Sequence, residues 1–66
     1  MNIELNGTPH EVGTAATLQD LIVDIAGTVR GSAVVVDDEV VPRGSWPTYP
    51  LRDGQRVELI TAVQGG

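Results

Sequence analysis

The chain has 66 residues, with nine acidic side chains, four arginines and no lysine, so its formal net charge at pH 7 is −5. This charge argues against nucleic acid and anionic membrane surfaces as partners and favours a partner with a basic face. The sequence has no cysteine, which excludes disulfides and zinc–thiolate sites, so one small domain must be stabilised by aliphatic packing. The first 20 residues lack the features of a secretion signal, and no apolar run approaches the ~20 residues of a membrane span, so we expect a cytoplasmic protein.

Two short strands are predicted at the start of the chain. Residues 2–6 alternate polar and apolar side chains, which is typical of a half-buried strand. Asn6-Gly7 predicts a tight hairpin turn, because both residues tolerate positive φ. Residues 8–12 return as a second strand, and Pro9 places this strand at a sheet edge because proline donates no backbone hydrogen bond.

A helix is predicted to begin after Thr17. Thr17 and Asp20 have the spacing of a capping box, and Gly27 is expected to end the regular helix. Apolar residues recur at helical spacing and predict one buried face. That face consists of Leu18, Leu21, Ile22, Ile25, Ala26 and Val29.

A second pair of strands follows the helix. Residues 33–36 are a β-branched run that indicates a buried strand, and Asp37-Asp38 predicts a turn. Residues 39–41 form a short return strand that Pro42 ends. Asp37, Asp38 and Glu39 form a compact acidic cluster. We interpret this cluster as a solvated hairpin tip, because the ligand spacing of a calcium-binding loop is absent.

The last third of the chain predicts one irregular segment and one long strand. Residues 43–54 contain two prolines and are expected to be irregular, with Trp46 and Leu51 anchoring the segment on the core. Residues 55–63 predict the final strand. The order ββαβββ predicts an α+β fold with a mixed sheet packed on one helix, in which the first and last strands are parallel neighbours.

Three side chains outside the terminus are candidates for partner docking. Val35 and Ile60 should face outward by strand alternation and suggest a small apolar patch, although β-propensity alone also explains them. Arg43 is a candidate contact, with an ordinary exposed loop arginine as the alternative. His10 is the only candidate catalytic base, and we interpret it as a structural histidine of an edge strand.

The final strand leads directly to Gly65-Gly66, and we expect Gly66 to carry a free carboxylate on a flexible tail of residues 65–66 after a domain of residues 1–64. A carboxylate without bulky neighbours can enter a narrow channel. Activation as an acyl-adenylate would let sulfide or a persulfide convert it to a thiocarboxylate. The alternative is a tail without function.

Taken together, these features resemble the ubiquitin-like β-grasp sulfur carriers, and among them the thiamine-biosynthesis branch known as the ThiS family. The resemblance covers essentially the whole chain. It is carried by Ile3 to Gly7, by Thr17, Leu18, Leu21 and Ile22, by Val40-Val41-Pro42-Arg43 with Trp46, by Asp53-Gly54 and Val57-Glu58-Leu59, and by the closing Ala62-Val63-Gln64-Gly65-Gly66.

The resemblance implies a carrier protein rather than an enzyme. In this family an E1-like adenylating enzyme uses ATP and magnesium to activate the position that corresponds to Gly66. Sulfur derived from a cysteine desulfurase then forms the thiocarboxylate, and thiazole synthase receives it. Gly65 would give access to the terminus, and Val63 and Gln64 would guide the tail. The chain itself is expected to bind no cofactor.

Two alternative functions would begin with the same adenylation of Gly66. The chain could carry sulfur for another pathway, of the molybdopterin or cysteine type, or it could be a ubiquitin-like modifier conjugated through Gly66 to a lysine of a target protein. The Pro42-Arg43 pair followed by Trp46 favours the thiamine branch over the small subunit of molybdopterin synthase.

Overall fold

The computed structural model describes residues 1–61, which form a five-stranded mixed sheet and one α-helix. The elements are β1 (Asn2–Leu5), β2 (Thr8–Glu11), α1 (Leu18–Ala26), β3 (Ser32–Val36), β4 (Glu39–Val40) and β5 (Arg56–Thr61). The strands run in the order β2-β1-β5-β3-β4 across the sheet, and β1 and β5 are parallel while the other neighbours are antiparallel. The predicted ββαβββ order is confirmed, as is the edge position of β2.

Two tight turns connect β1 to β2 and β3 to β4. Asn6 and Gly7 have φ angles of 49° and 82°, and Asp37 and Asp38 have φ angles of 49° and 69°. Two consecutive positive φ angles give a turn whose twist matches that of the flanking strands. Glycine adopts such angles without strain, and Asn and Asp are enriched there among the other residues. Both predicted turns are therefore confirmed.

Helix α1 begins with the predicted capping box. The Asp20 backbone N–H donates to the Thr17 hydroxyl at 3.2 Å, and the Thr17 N–H donates to the Asp20 carboxylate at 2.9 Å. Gly27 ends the helix with a φ of 77°. The predicted buried face is wrong for Ile25, which is 45% exposed because it lines an open groove beside Ser32 of β3 and Thr61 of β5. Val29 lies beyond the helix, which ends at Ala26, and is half-buried against the core.

The segment between β4 and β5 is more regular than predicted. A 3₁₀ helix spans Arg43–Thr48 and includes Pro47, whose missing N–H costs little in so short a helix. Trp46 is 1% exposed, and its indole Nε1–H donates to the Val41 carbonyl at 2.9 Å. Trp46 and the buried Leu51 anchor the segment, as predicted.

The core lies between α1 and one face of the sheet, and the 3₁₀ helix closes it. None of the described buried side chains is polar or charged apart from the indole N–H of tryptophan. No helix within residues 1–61 is long and apolar enough to cross a membrane. The core residues are Ile3, Leu18, Leu21, Ile22, Val34, Val36, Val41, Trp46, Leu51, Val57 and Leu59.

Replacing Leu21 by alanine should lower the free energy of unfolding by about 2–5 kcal/mol, because the change removes buried apolar surface and leaves a cavity. Leu21 is 3% exposed, whereas Val23 on the opposite side of the helix is 44% exposed. The matched control Val23→Ala should change the stability by less than about 0.5 kcal/mol. Urea unfolding followed by the fluorescence of the single tryptophan measures both values. A Leu21→Ala protein as stable as the wild type would contradict the position of the core.

Candidate functional site

Strand β5 is the element that leads toward the candidate terminus, and it occupies the centre of the sheet. It pairs with β1 on one edge and with β3 on the other. Val57 and Leu59 are buried beneath the helix, while Glu58 and Ile60 face the opposite side. The predicted alternation is confirmed, and it follows from the period of two that places successive strand residues on opposite faces.

The residues predicted to react lie beyond this strand. Thr61, the last described residue, lies opposite Ser32 in the β3–β5 pairing. Val63, Gln64, Gly65 and Gly66 lie outside the described residues, as does the predicted boundary between the domain and its tail. Their roles therefore stay predictions.

The face of the sheet opposite the helix carries an apolar surface next to the end of β5. Val35 and Ile60 both lie on this face, as predicted, at diagonal positions of the β3–β5 ladder, because Val35 pairs with Glu58. Ile60 is 59% exposed and Val35 is half-buried. These two residues, with Val40 and Ala33, are called the outer patch below.

Val40 and Ala33 are the two members of the outer patch that the sequence interpretation missed. Val40 lies directly opposite Val35 in the β3–β4 pairing and is 76% exposed, the largest exposure among the big apolar residues described. A signal was available in the sequence, because a two-residue turn at Asp37-Asp38 fixes the register and therefore places Val40 across from Val35. Ala33, also exposed, lies opposite Ile60.

Acidic side chains lie next to the outer patch. Glu58 of β5 lies directly opposite Val35 of β3. The Arg56 guanidinium lies 3.9 Å (Nε) from Oε2 of Glu4 and 3.7 Å (Nη1) from Oδ1 of Asp38. These ion pairs are exposed, so they contribute little to stability. Glu4, Asp38 and Glu58 carry three negative charges against the one positive charge of Arg56, so this side of the molecule is acidic, which suits a partner with a basic surface.

Arg43 is exposed at the first position of the 3₁₀ helix, outside the strands. It is therefore not part of the outer patch, although it follows Val40 by three residues. Its contact with a partner stays a prediction.

The part of the chain from residue 1 to 61 shows no group of three or more His, Asp or Glu side chains that could hold a metal ion. In the acidic hairpin tip, the Asp37 carboxylate accepts the Arg56 backbone N–H at 3.0 Å. His10 is half-buried and lines a groove of about 320 Å³ between β2 and α1, together with the acidic side chains of Glu11, Asp20 and Asp24. Within residues 1–61, no hydroxyl side chain lines that groove, and the structural interpretation of His10 stays a prediction.

Comparison with known proteins gives consistent matches over the whole chain. The sequence model of the ThiS family matches residues 3–66. The sulfur carrier protein ThiS of Thermus thermophilus is 34% identical over 62 residues, which are 94% of this chain and 95% of that protein. The sulfur carrier protein ThiS of Escherichia coli is 24% identical over the full length of both chains.

Some relatives are larger proteins. A thiazole synthase of Magnetococcus marinus is 30% identical over all 66 residues, and the chain spans only about a fifth of its length (20%). Among solved structures, the crystal structure of the thiamine biosynthesis protein ThiS from Geobacter metallireducens matches over 100% of both chains with a TM-score of 0.82 and 25% identity. The fold is the ubiquitin-like β-grasp, and the chain belongs to the ThiS family.

Proposed function

We propose that this chain is a sulfur carrier in thiamine biosynthesis and that it carries the sulfur as a thiocarboxylate on Gly66. The observation that carries this proposal is the match to the ThiS family over residues 3–66, supported by two sulfur carrier proteins that align over their full or nearly full length. The chain is a carrier and not itself a catalyst. It acts as a co-substrate of other enzymes.

The chemistry begins at the Gly66 carboxylate. An oxygen of this carboxylate attacks the α-phosphate of ATP in the active site of an E1-like enzyme, and pyrophosphate leaves. Magnesium held by that enzyme neutralises phosphate charge. Hydrosulfide then displaces AMP and forms the thiocarboxylate directly. If the nucleophile is a persulfide of a cysteine desulfurase, an acyl disulfide forms first, and a second thiol must cleave it.

Thiazole synthase is the acceptor that we propose. Thiazole synthases of Magnetococcus marinus and Paramagnetospirillum magneticum each align with the whole chain over 20% of their own length. A carrier-like segment and an enzyme of that name in one protein support a direct transfer of sulfur from the carrier to the enzyme.

Because activation of the carrier consumes ATP, we propose that the protein acts in the cytoplasm.

The outer patch is the docking surface that we propose for these partners. It includes Ile60, the penultimate described residue of β5, which precedes Gly66 by six residues in the sequence (66 − 60). Val40 and Ile60 together expose much of their apolar surface, and removal of this surface from water would favour association. The acidic carboxylates around the patch favour a partner with a basic rim, and Val63, Gln64 and Gly65 would occupy the channel to the active site.

Incubation with the adenylating enzyme, ATP, magnesium and a sulfur source should raise the intact mass by the difference between one sulfur and one oxygen atom. The variant that lacks Gly66 should show no increase, and its thermal unfolding should match the wild type because every described core residue is retained. Intact-protein mass spectrometry measures the change. An unchanged mass with an enzyme that is active on another ThiS protein would contradict the carrier function.

Replacing Val40 or Ile60 by glutamate should weaken binding to the adenylating enzyme by at least about tenfold, because each change buries a charge in an apolar interface. Val23→Glu is the matched control, since Val23 is also exposed but lies on the helix, on the other side of the molecule. Affinity measured by titration calorimetry should be unaffected by the control. Equal affinities for all three variants would show that the outer patch is not the docking surface.

A further inference from the structure

One edge of β5 remains hydrogen-bonded beyond the point where β1 ends. The backbone N–H of Glu4 donates to the Gln55 carbonyl at 2.8 Å, and that of Asn6 donates to the Val57 carbonyl at 2.9 Å. The chain then turns away toward β2. The Asn6 side chain continues the ladder, because its Oδ1 accepts the Leu59 N–H at 2.9 Å and its Nδ2 donates to the Leu59 carbonyl at 3.3 Å.

Asparagine is suited to this position for two reasons. Its side-chain amide has the same donor and acceptor as a peptide group, so it can replace a backbone unit of a neighbouring strand. It also tolerates the φ of 49° that the turn requires. Among residues 1–61, Leu59 is the last position of β5 that is bonded from the β1 side.

The other hairpin supplies a similar contact at the opposite end of β5. Asp37 follows β3 as Asn6 follows β1, and its φ is also 49°. Its N–H donates to the Arg56 carbonyl at 2.8 Å, and its carboxylate accepts the Arg56 N–H at 3.0 Å. The Asp37 side chain therefore bonds Arg56, the first residue of β5, and the Asn6 side chain bonds Leu59, farther along the same strand.

We propose that Asn6 is a positioning residue for the reaction at Gly66, because it fixes Leu59 and therefore the end of β5 before a partner binds. This inference rests on the proposed carrier function, since it requires a partner that acts on Gly66. A backbone segment that is ordered before binding spares the complex the entropy cost of ordering it. Loss of the Asn6 side chain should therefore raise the KM for the carrier and leave kcat unchanged.

Asn6→Gly and Asp37→Gly make a matched pair for the test. Each change removes the side chain and keeps a residue that accepts positive φ, so both turns can form. Carrier-dependent ATP–pyrophosphate exchange with the adenylating enzyme measures KM and kcat. Asn6→Gly should raise KM about tenfold, which corresponds to ~1.4 kcal/mol, and Asp37→Gly should raise it less than about twofold.

Amide hydrogen exchange on the isolated protein gives a second reading that needs no partner. The Leu59 amide should lose protection in Asn6→Gly and keep it in Asp37→Gly, where the Arg56 amide should exchange faster instead. If Asn6→Gly does not fold, Asn6→Asp takes its place. It replaces the donor to the Leu59 carbonyl by a carboxylate oxygen that repels this carbonyl, so KM should rise and the Leu59 amide should exchange faster than in the wild type.

Two results would overturn the inference while the carrier function stands. One is an equal KM for Asn6→Gly and Asp37→Gly, with a wild-type protein that is adenylated. The other is unchanged exchange of the Leu59 amide in Asn6→Gly. A wild-type protein that is not adenylated at all would instead contradict the carrier function, and the inference with it.

Discussion

The parallel pairing of β1 with β5 is the constraint on which the rest of this structure depends. Parallel neighbours cannot be joined by a tight turn, so the chain between them must cross over, and here it does so through α1, β3 and β4. The last strand consequently lies in the middle of the sheet, bonded on both edges, with Val57 and Leu59 in the core. The last strand of the described residues is therefore hydrogen-bonded on both edges and anchored in the core.

The same arrangement separates the two faces of the sheet by role. A chain of 66 residues has one small core, and α1 with the 3₁₀ helix covers one face to form it. The other face keeps Val40 and Ile60 exposed next to the end of β5. Stability thus depends on one face, while the proposed recognition depends on the other, so a change in the outer patch can affect docking without loosening the core.

Local chemistry explains which features were predictable from the sequence. The Thr17–Asp20 capping box and both hairpin turns depend on neighbouring residues, and strand alternation depends on a fixed period, so all were confirmed. The exposure of Ile25, the position of Val40 and the bonds of Asn6 to β5 depend on contacts between distant segments. Periodicity alone does not contain that information. The proposed thiocarboxylate chemistry comes from the family resemblance and concerns residues beyond the described part of the chain.

The most direct test of the account is the location of sulfur on the chain recovered from cells that are making thiamine. Trypsin cleavage after Arg56 releases a C-terminal peptide that begins at Val57, and tandem mass spectrometry can place the sulfur within it. The account predicts that the extra mass appears only in fragments that contain Gly66. A peptide without sulfur in such cells, or one joined through Gly66 to a lysine of another protein, would contradict it.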